Sequence, residues 1–121
     1  MMVLIVESNP ALAALWKKHL ERLGWLVHTA TSDEAAYDLL QELTFDVIIL
    51  DLVLERGSSL SVSDYASFRQ PEARVIFVTN TRFFSDGSIF EHCANACAFV
   101  TSATEPSDLA AMVDHHGRLN A

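Results

Sequence analysis

Five short apolar runs, MVLIV (2–6), WLVHTA (25–30), FDVIIL (45–50), ARVIFVT (73–79) and CAFVT (97–101), divide the sequence, and polar residues close each of them. Runs of this length that are mostly apolar, not strictly alternating, suit strands buried on both faces. Segments of helical period lie between them. Strand-then-helix alternation is the pattern of a parallel sheet covered by helices, joined by right-handed crossovers.

The intervening segments carry their own start and stop signals. NPALAALWKKHLERLG (9–24) opens with Asn9 as N-cap and Pro10 in the first turn, and it ends at Gly24. Its pattern puts Leu12, Leu15, Trp16, His19 and Leu23 on one face, with Lys17, Lys18, Glu21 and Arg22 on the other. In TSDEAAYDLLQEL (31–43), Thr31 and Glu34 have the spacing of a capping box. LSVSDYASFRQ (60–70) is a serine-rich helix stopped by Pro71, and a short fourth helix is expected from about Ser88. EPSDLAAMVDHHGRL (105–119) starts its helix at Pro106 and is expected to fade at Gly117 into a frayed tail. The expected architecture is a doubly wound α/β fold, a five-stranded parallel sheet with five helices, in one domain spanning 1–121.

Composition excludes several classes. The 121 residues are half apolar, yet none of the runs approaches the roughly 20 residues that a membrane span requires. MMVLIVESNP has neither a basic leader nor a cleavage site, so a cytoplasmic location is expected. Sixteen acids against eight bases give a net charge of -8, which argues against direct nucleic-acid binding. Cys93 and Cys97 read as free thiols, and with His92 they fit no closed zinc pattern, so helix packing accounts for them.

In a doubly wound sheet, ligands bind beyond the carboxyl ends of the strands. That rule selects Glu7 and Ser8 after the first strand, Asp51 after the third, Thr79 after the fourth, and Thr101 and Ser102 after the fifth. Two converging carboxylates, Glu7 and Asp51, repel each other unless a cation lies between them, and Mg2+ suits oxygen ligands of this kind. An aspartate beside Mg2+ can act as a nucleophile toward phosphorus, and a Thr79 hydroxyl can bond to a phosphoryl oxygen. Taken singly, each residue has a plainer reading: Asp51 as a solvated strand end, Glu7 as polar rim, Thr79 as a β-branched terminus, Phe99 as core. Phe83, Phe84 and Phe90 cluster near the fourth predicted helix, and adjacent aromatics in a loop favour a protein partner or a homodimer surface.

From VLIVESNPALAALWKKHLERLGWLVHTATSDEAAYDLL through FDVIILDLVLERGSS and RVIFVTNT to AFVTSATEPSDLAAMV, the chain resembles the receiver domain of bacterial two-component response regulators, with its flavodoxin-like fold. The resemblance implies a signalling module, not an enzyme. It implies phosphorylation of Asp51 by a histidine kinase or phosphotransfer protein, Thr79 as switch hydroxyl and Phe99 as switch aromatic. It also implies a downstream protein partner that reads the surface of the fourth helix, fifth strand and fifth helix. Three departures stand out. Ser8 replaces the usual second acid, Ser102 and Ala103 replace a lysine and proline, and the loop after Asp51 reads Glu55, Arg56, Gly57, Ser58, Ser59. Lys17 and Lys18 are the only lysines, so no later one replaces the missing charge; Arg56 and Arg82 are the rim alternatives. Two readings follow: an atypical phosphoacceptor with a weakened Mg2+ site, or a phosphorylation-independent pseudo-receiver that acts as an interaction module.

Overall fold

The computed structural model describes residues 1–52, 54, 57–79 and 96–118, with the backbone alone for 96, 97, 99 and 118. Nine elements follow in order: β1 (Met2–Val6), α1 (Pro10–Glu21), β2 (Leu26–Ala30), α2 (Asp33–Glu42), β3 (Val47–Asp51), α3 (Ser59–Arg69), β4 (Arg74–Thr79), β5 (Ala96–Thr101) and α4 (Pro106–Arg118). All five strands are parallel, in the order β2-β1-β3-β4-β5. The helix expected from about Ser88 lies outside the described residues, so α4 is the last of the predicted helices. The strand order reverses between β1 and β3, and this opens the crevice that doubly wound sheets use.

Side chains alternate along the strands into two separate cores. Leu4, Val6, Ile48, Leu50, Val75 and Phe77 pack against α2 and α3 through Ala36, Leu40, Val62 and Ala66. Val3, Ile5, Val47, Ile49, Ile76 and Val78 pack against α1 and α4 through Trp16, Leu20, Leu109 and Val113. Both faces of β1 and β3 are therefore apolar, which is why their sequences run without alternation.

Local signals explain most element ends. Asn9 caps α1 by accepting from the amides of Ala11 (3.0 Å) and Leu12 (3.3 Å), with Pro10 in the first turn. Gly24 turns the chain toward β2 at φ +87°, where a side chain would be strained. The buried stripe of α1 is Ala13, Trp16 and Leu20, whereas Leu15 and Leu23 are each 52% exposed. This corrects the expected face: the helix settles with Trp16 at its centre, and the small Ala13 meets the sheet. The cap of α2 is Ser32, not Thr31; its hydroxyl accepts from Ala35 N at 3.2 Å. Helix α4 ends at Arg118, one residue past the expected limit at Gly117, which is buried with the Met1 side chain beside it.

One buried polar side chain ties three elements together. Gln70 Nε2 donates to Leu40 O (2.8 Å) and Leu43 O (2.6 Å), while its Oε1 accepts from Phe45 N (2.8 Å). It thereby satisfies the carbonyl end of α2 and the entry to β3 from the end of α3. Replacing Gln70 by Leu strands these groups in the interior and is expected to lower stability by roughly 2 to 4 kcal/mol, read from urea unfolding midpoints. A midpoint within error of wild type would show that the clamp is dispensable.

Candidate functional site

The site grows from the pairing of β1 with β3. Val6 stands opposite Leu50, so the next residues, Glu7 and Asp51, leave the sheet side by side. By alternation they share the face of Ile5 and Ile49, toward α1 and α4. Glu7 is only 5% exposed, which overturns its reading as polar rim; Asp51 is half-buried. Hydrogen bonds hold Glu7 from both ends: its amide donates to Ala30 O at 3.0 Å, and its Oε1 accepts from Asn9 N at 3.2 Å. The α1 cap residue is thus also a fixed donor to the acidic pair.

Glu7 Oε2 is buried without a hydrogen-bond partner among the described residues. Burial above all, then the neighbouring charge of Asp51 and a side-chain hydrogen bond to it, together push the Glu7 carboxyl up to about 7, with the Asn9 amide opposing them. Among the described residues no basic side chain contributes. The two carboxylates therefore need either a shared proton or a cation between them. An orphaned carboxylate oxygen beside a second carboxylate, with oxygen donors only, fits a hard divalent ion that keeps several waters, such as Mg2+. Among the described residues there is no group of three or more His, Cys, Asp and Glu side chains able to hold a metal, so the pair lacks a third acid.

The other strand-end residues line the same edge. Thr79 is fully buried, and its carbonyl accepts from Ser102 N at 2.8 Å while its Cα pairs with Thr101. Beside Asp51, Leu52 N donates to Val78 O at 2.8 Å, which carries the β3–β4 ladder past the strand end. Ser8 and Ser102 are half-buried and Thr101 is exposed. The Phe99 backbone pairs with Phe77. Phe83, Phe84, Phe90, Arg56 and Arg82 lie outside the described residues, as do His92 and Cys93. A cleft of about 510 Å³ between α1 and α4, lined by His19, Leu23, Trp25 and Asp114 among others, includes none of the strand-end residues.

A five-stranded 2-1-3-4-5 sheet with paired acids at its switch point agrees with the sequence match: residues 3–114 match the response regulator receiver domain family. The chain belongs to this family. The alginate biosynthesis transcriptional regulatory protein AlgB of Pseudomonas putida is 35% identical over 77 residues, covering 64% of this chain and 17% of that protein. The transcriptional regulatory protein SrrA of Staphylococcus aureus is 33% identical over 61 residues, covering 50% of this chain and 25% of that protein. The matched stretches thus span a quarter or less of the length of these regulators. Among solved structures, a CheY-like receiver domain protein from Methanospirillum hungatei superposes with a TM-score of 0.89 at 22% identity, over 98% of this chain and 94% of that one. The response regulator TrrA of Thermotoga maritima, in complex with Mg(2+)-BeF, gives 0.82 at 22% identity, over 95% and 97%.

Two contacts of the receiver site escaped the sequence. The Asn9 amide on Glu7 had only the cap signal to suggest it. The carboxylate of Asp33, at the start of α2, accepts from Ser58 N at 3.2 Å across 25 residues of chain. Nothing in the sequence marks that pairing except Gly57 beside it.

The raised Glu7 carboxyl makes stability depend on pH. Between 4.5, the ordinary value, and about 7, the folded receiver holds a proton that the unfolded chain releases, so this contribution is complete below 4.5 and lost as pH rises through about 7. In chelator, unfolding free energy is expected to fall by up to about 3 kcal/mol between pH values of about 5 and about 8. Glu7→Gln should flatten that slope. An unchanged slope in Glu7→Gln would place the dependence elsewhere.

Proposed function

We propose that this receiver accepts a phosphoryl group on Asp51 from a histidine kinase or phosphotransfer protein and thereby alters a surface read by a downstream protein. The observation that carries the reading is the placement of Asp51 at the β1–β3 switch point, beside the buried carboxylate of Glu7. An Asp51 oxygen attacks phosphorus as the bond from phosphorus to the donor's imidazole nitrogen breaks, leaving an acyl phosphate on Asp51 and a neutral imidazole on the donor. Glu7 and Asp51 would hold Mg2+, which when bound neutralises charge on the transferred group. The Mg(2+)-BeF complex of the Thermotoga maritima regulator supports the choice of ion.

The remaining roles fall to residues of this chain. Thr79 donates its hydroxyl to a phosphoryl oxygen, and Phe99, in the neighbouring strand, follows that movement. Phe83, Phe84 and Phe90 supply the aromatic surface for a protein partner or a second copy. Ser102 donates a neutral hydrogen bond where the family usually places a lysine, and a charge-assisted bond to an anion is about twice as strong.

That last departure favours a second reading, a phosphorylation-independent interaction module. Intact mass after incubation with Mg2+ and a small phosphodonor separates the two. A phosphoryl adduct is expected on wild type and not on Asp51→Asn, and Ser102→Lys should raise the rate of its formation roughly tenfold. Wild type that stays unmodified even with candidate kinases would sink the phosphoacceptor reading in favour of the second.

A further inference from the structure

We propose that Asp33 is a positioning residue for Asp51, acting through the turn at Gly57–Ser58 and the backbone of Leu52; this rests on the reading of Asp51 as phosphoacceptor. The link can be followed bond by bond. Asp33 Oδ2 accepts from Ser58 N at 3.2 Å, and Ser58 is the N-cap of α3, its hydroxyl accepting from Ser61 N at 3.3 Å. The next residue, Ser59, donates its buried hydroxyl to Leu52 O at 2.5 Å. Leu52 N in turn donates to Val78 O at 2.8 Å. The residue directly after Asp51 is therefore held at its amide by β4 and at its carbonyl by the start of α3, and Asp33 fixes that start from α2.

Gly57 makes this tie specific. It sits at φ +95°, and a Cβ built there would overlap Asp33 Cγ and both of its carboxylate oxygens. The carboxylate thus fills the space that a side chain would take. Its other oxygen accepts from Glu34 N at 2.8 Å, which anchors it to the first turn of α2. Packing of α2 on α3 supports the arrangement, with the Tyr37 and Tyr65 rings 5.1 Å apart in an edge contact. A nucleophile that lacks the usual lysine beside it depends the more on accurate placement.

The test compares Asp33→Ala, Asp33→Asn and Gly57→Ala in two readouts: the rate of adduct formation at saturating Mg2+, and amide hydrogen exchange at Leu52 and Ser58. Asp33→Ala should slow adduct formation about tenfold without moving the Mg2+ midpoint, and Asp33→Asn, which keeps an acceptor oxygen, should recover most of the rate. Gly57→Ala should reproduce the loss, and the double variant Asp33→Ala/Gly57→Ala should be no slower than Gly57→Ala alone. Wild-type rates in Asp33→Ala, or equal losses in Ala and Asn variants, would overturn the proposal. Should wild type accept no phosphoryl group, the phosphoacceptor reading fails and exchange decides the tie. Faster exchange at both amides in Asp33→Ala, restored in Asp33→Asn, upholds it; unchanged exchange at Leu52 overturns it.

Discussion

The parallel pairing of β1 with β3 is the constraint on which the rest of this domain depends. From Val3 to Val6 and from Val47 to Leu50, every side chain is fully buried, on one face by α1 and α4 and on the other by α2 and α3. A strand covered on both faces has no place for a charge until it leaves the sheet. Glu7 and Asp51 are the first charged residues after these two runs, and the register of Val6 opposite Leu50 makes them neighbours. The site is a product of the core, because the same packing that excludes charge from the strands concentrates it at their ends.

That concentration creates an electrostatic conflict at the two strand ends. Asn9 gives Glu7 one backbone amide, while Glu7 Oε2 has no hydrogen-bond partner among the described residues and Asp51 helps to raise the Glu7 carboxyl. Gln70 shows the contrast, its three hydrogen bonds closing the ends of two elements. A divalent cation is the group that would remove the conflict at both carboxylates at once.

The fold was legible because its signals are local. Apolar runs marked all five strands to within about two residues, and Asn9 with Pro10 and Gly24 marked the limits of α1. What failed needed knowledge of neighbours. Leu15 and Leu23 have the right period and hydrophobicity for burial, but the sheet is met by Trp16 with Ala13 and Leu20, and no periodicity ranks these faces. Chain order and spacing placed Glu7 and Asp51 at strand ends, and the β1–β3 register makes those ends neighbours. The burial of Glu7 and the reach of Asp33 to Ser58 depend on contacts between distant elements, which spacing does not encode.

Ser102 illustrates how far frame and chemistry separate in this domain. Its amide is bonded to Thr79 O, one residue beyond the pairing of Thr79 with Thr101, so the backbone at this position is set by the sheet and not by the side chain. Thr79 is likewise buried and held in register whatever stands at residue 102. The fixed positive charge is thus lost without loss of the scaffold that would carry it. The two functional readings differ by the strength of one interaction with a bound anion, while the strand ends, the acidic pair and the tie from α2 to the start of α3 are common to both. Neutral donors in a well-ordered frame can still orient an anion, but they stabilise its charge less than a cation does.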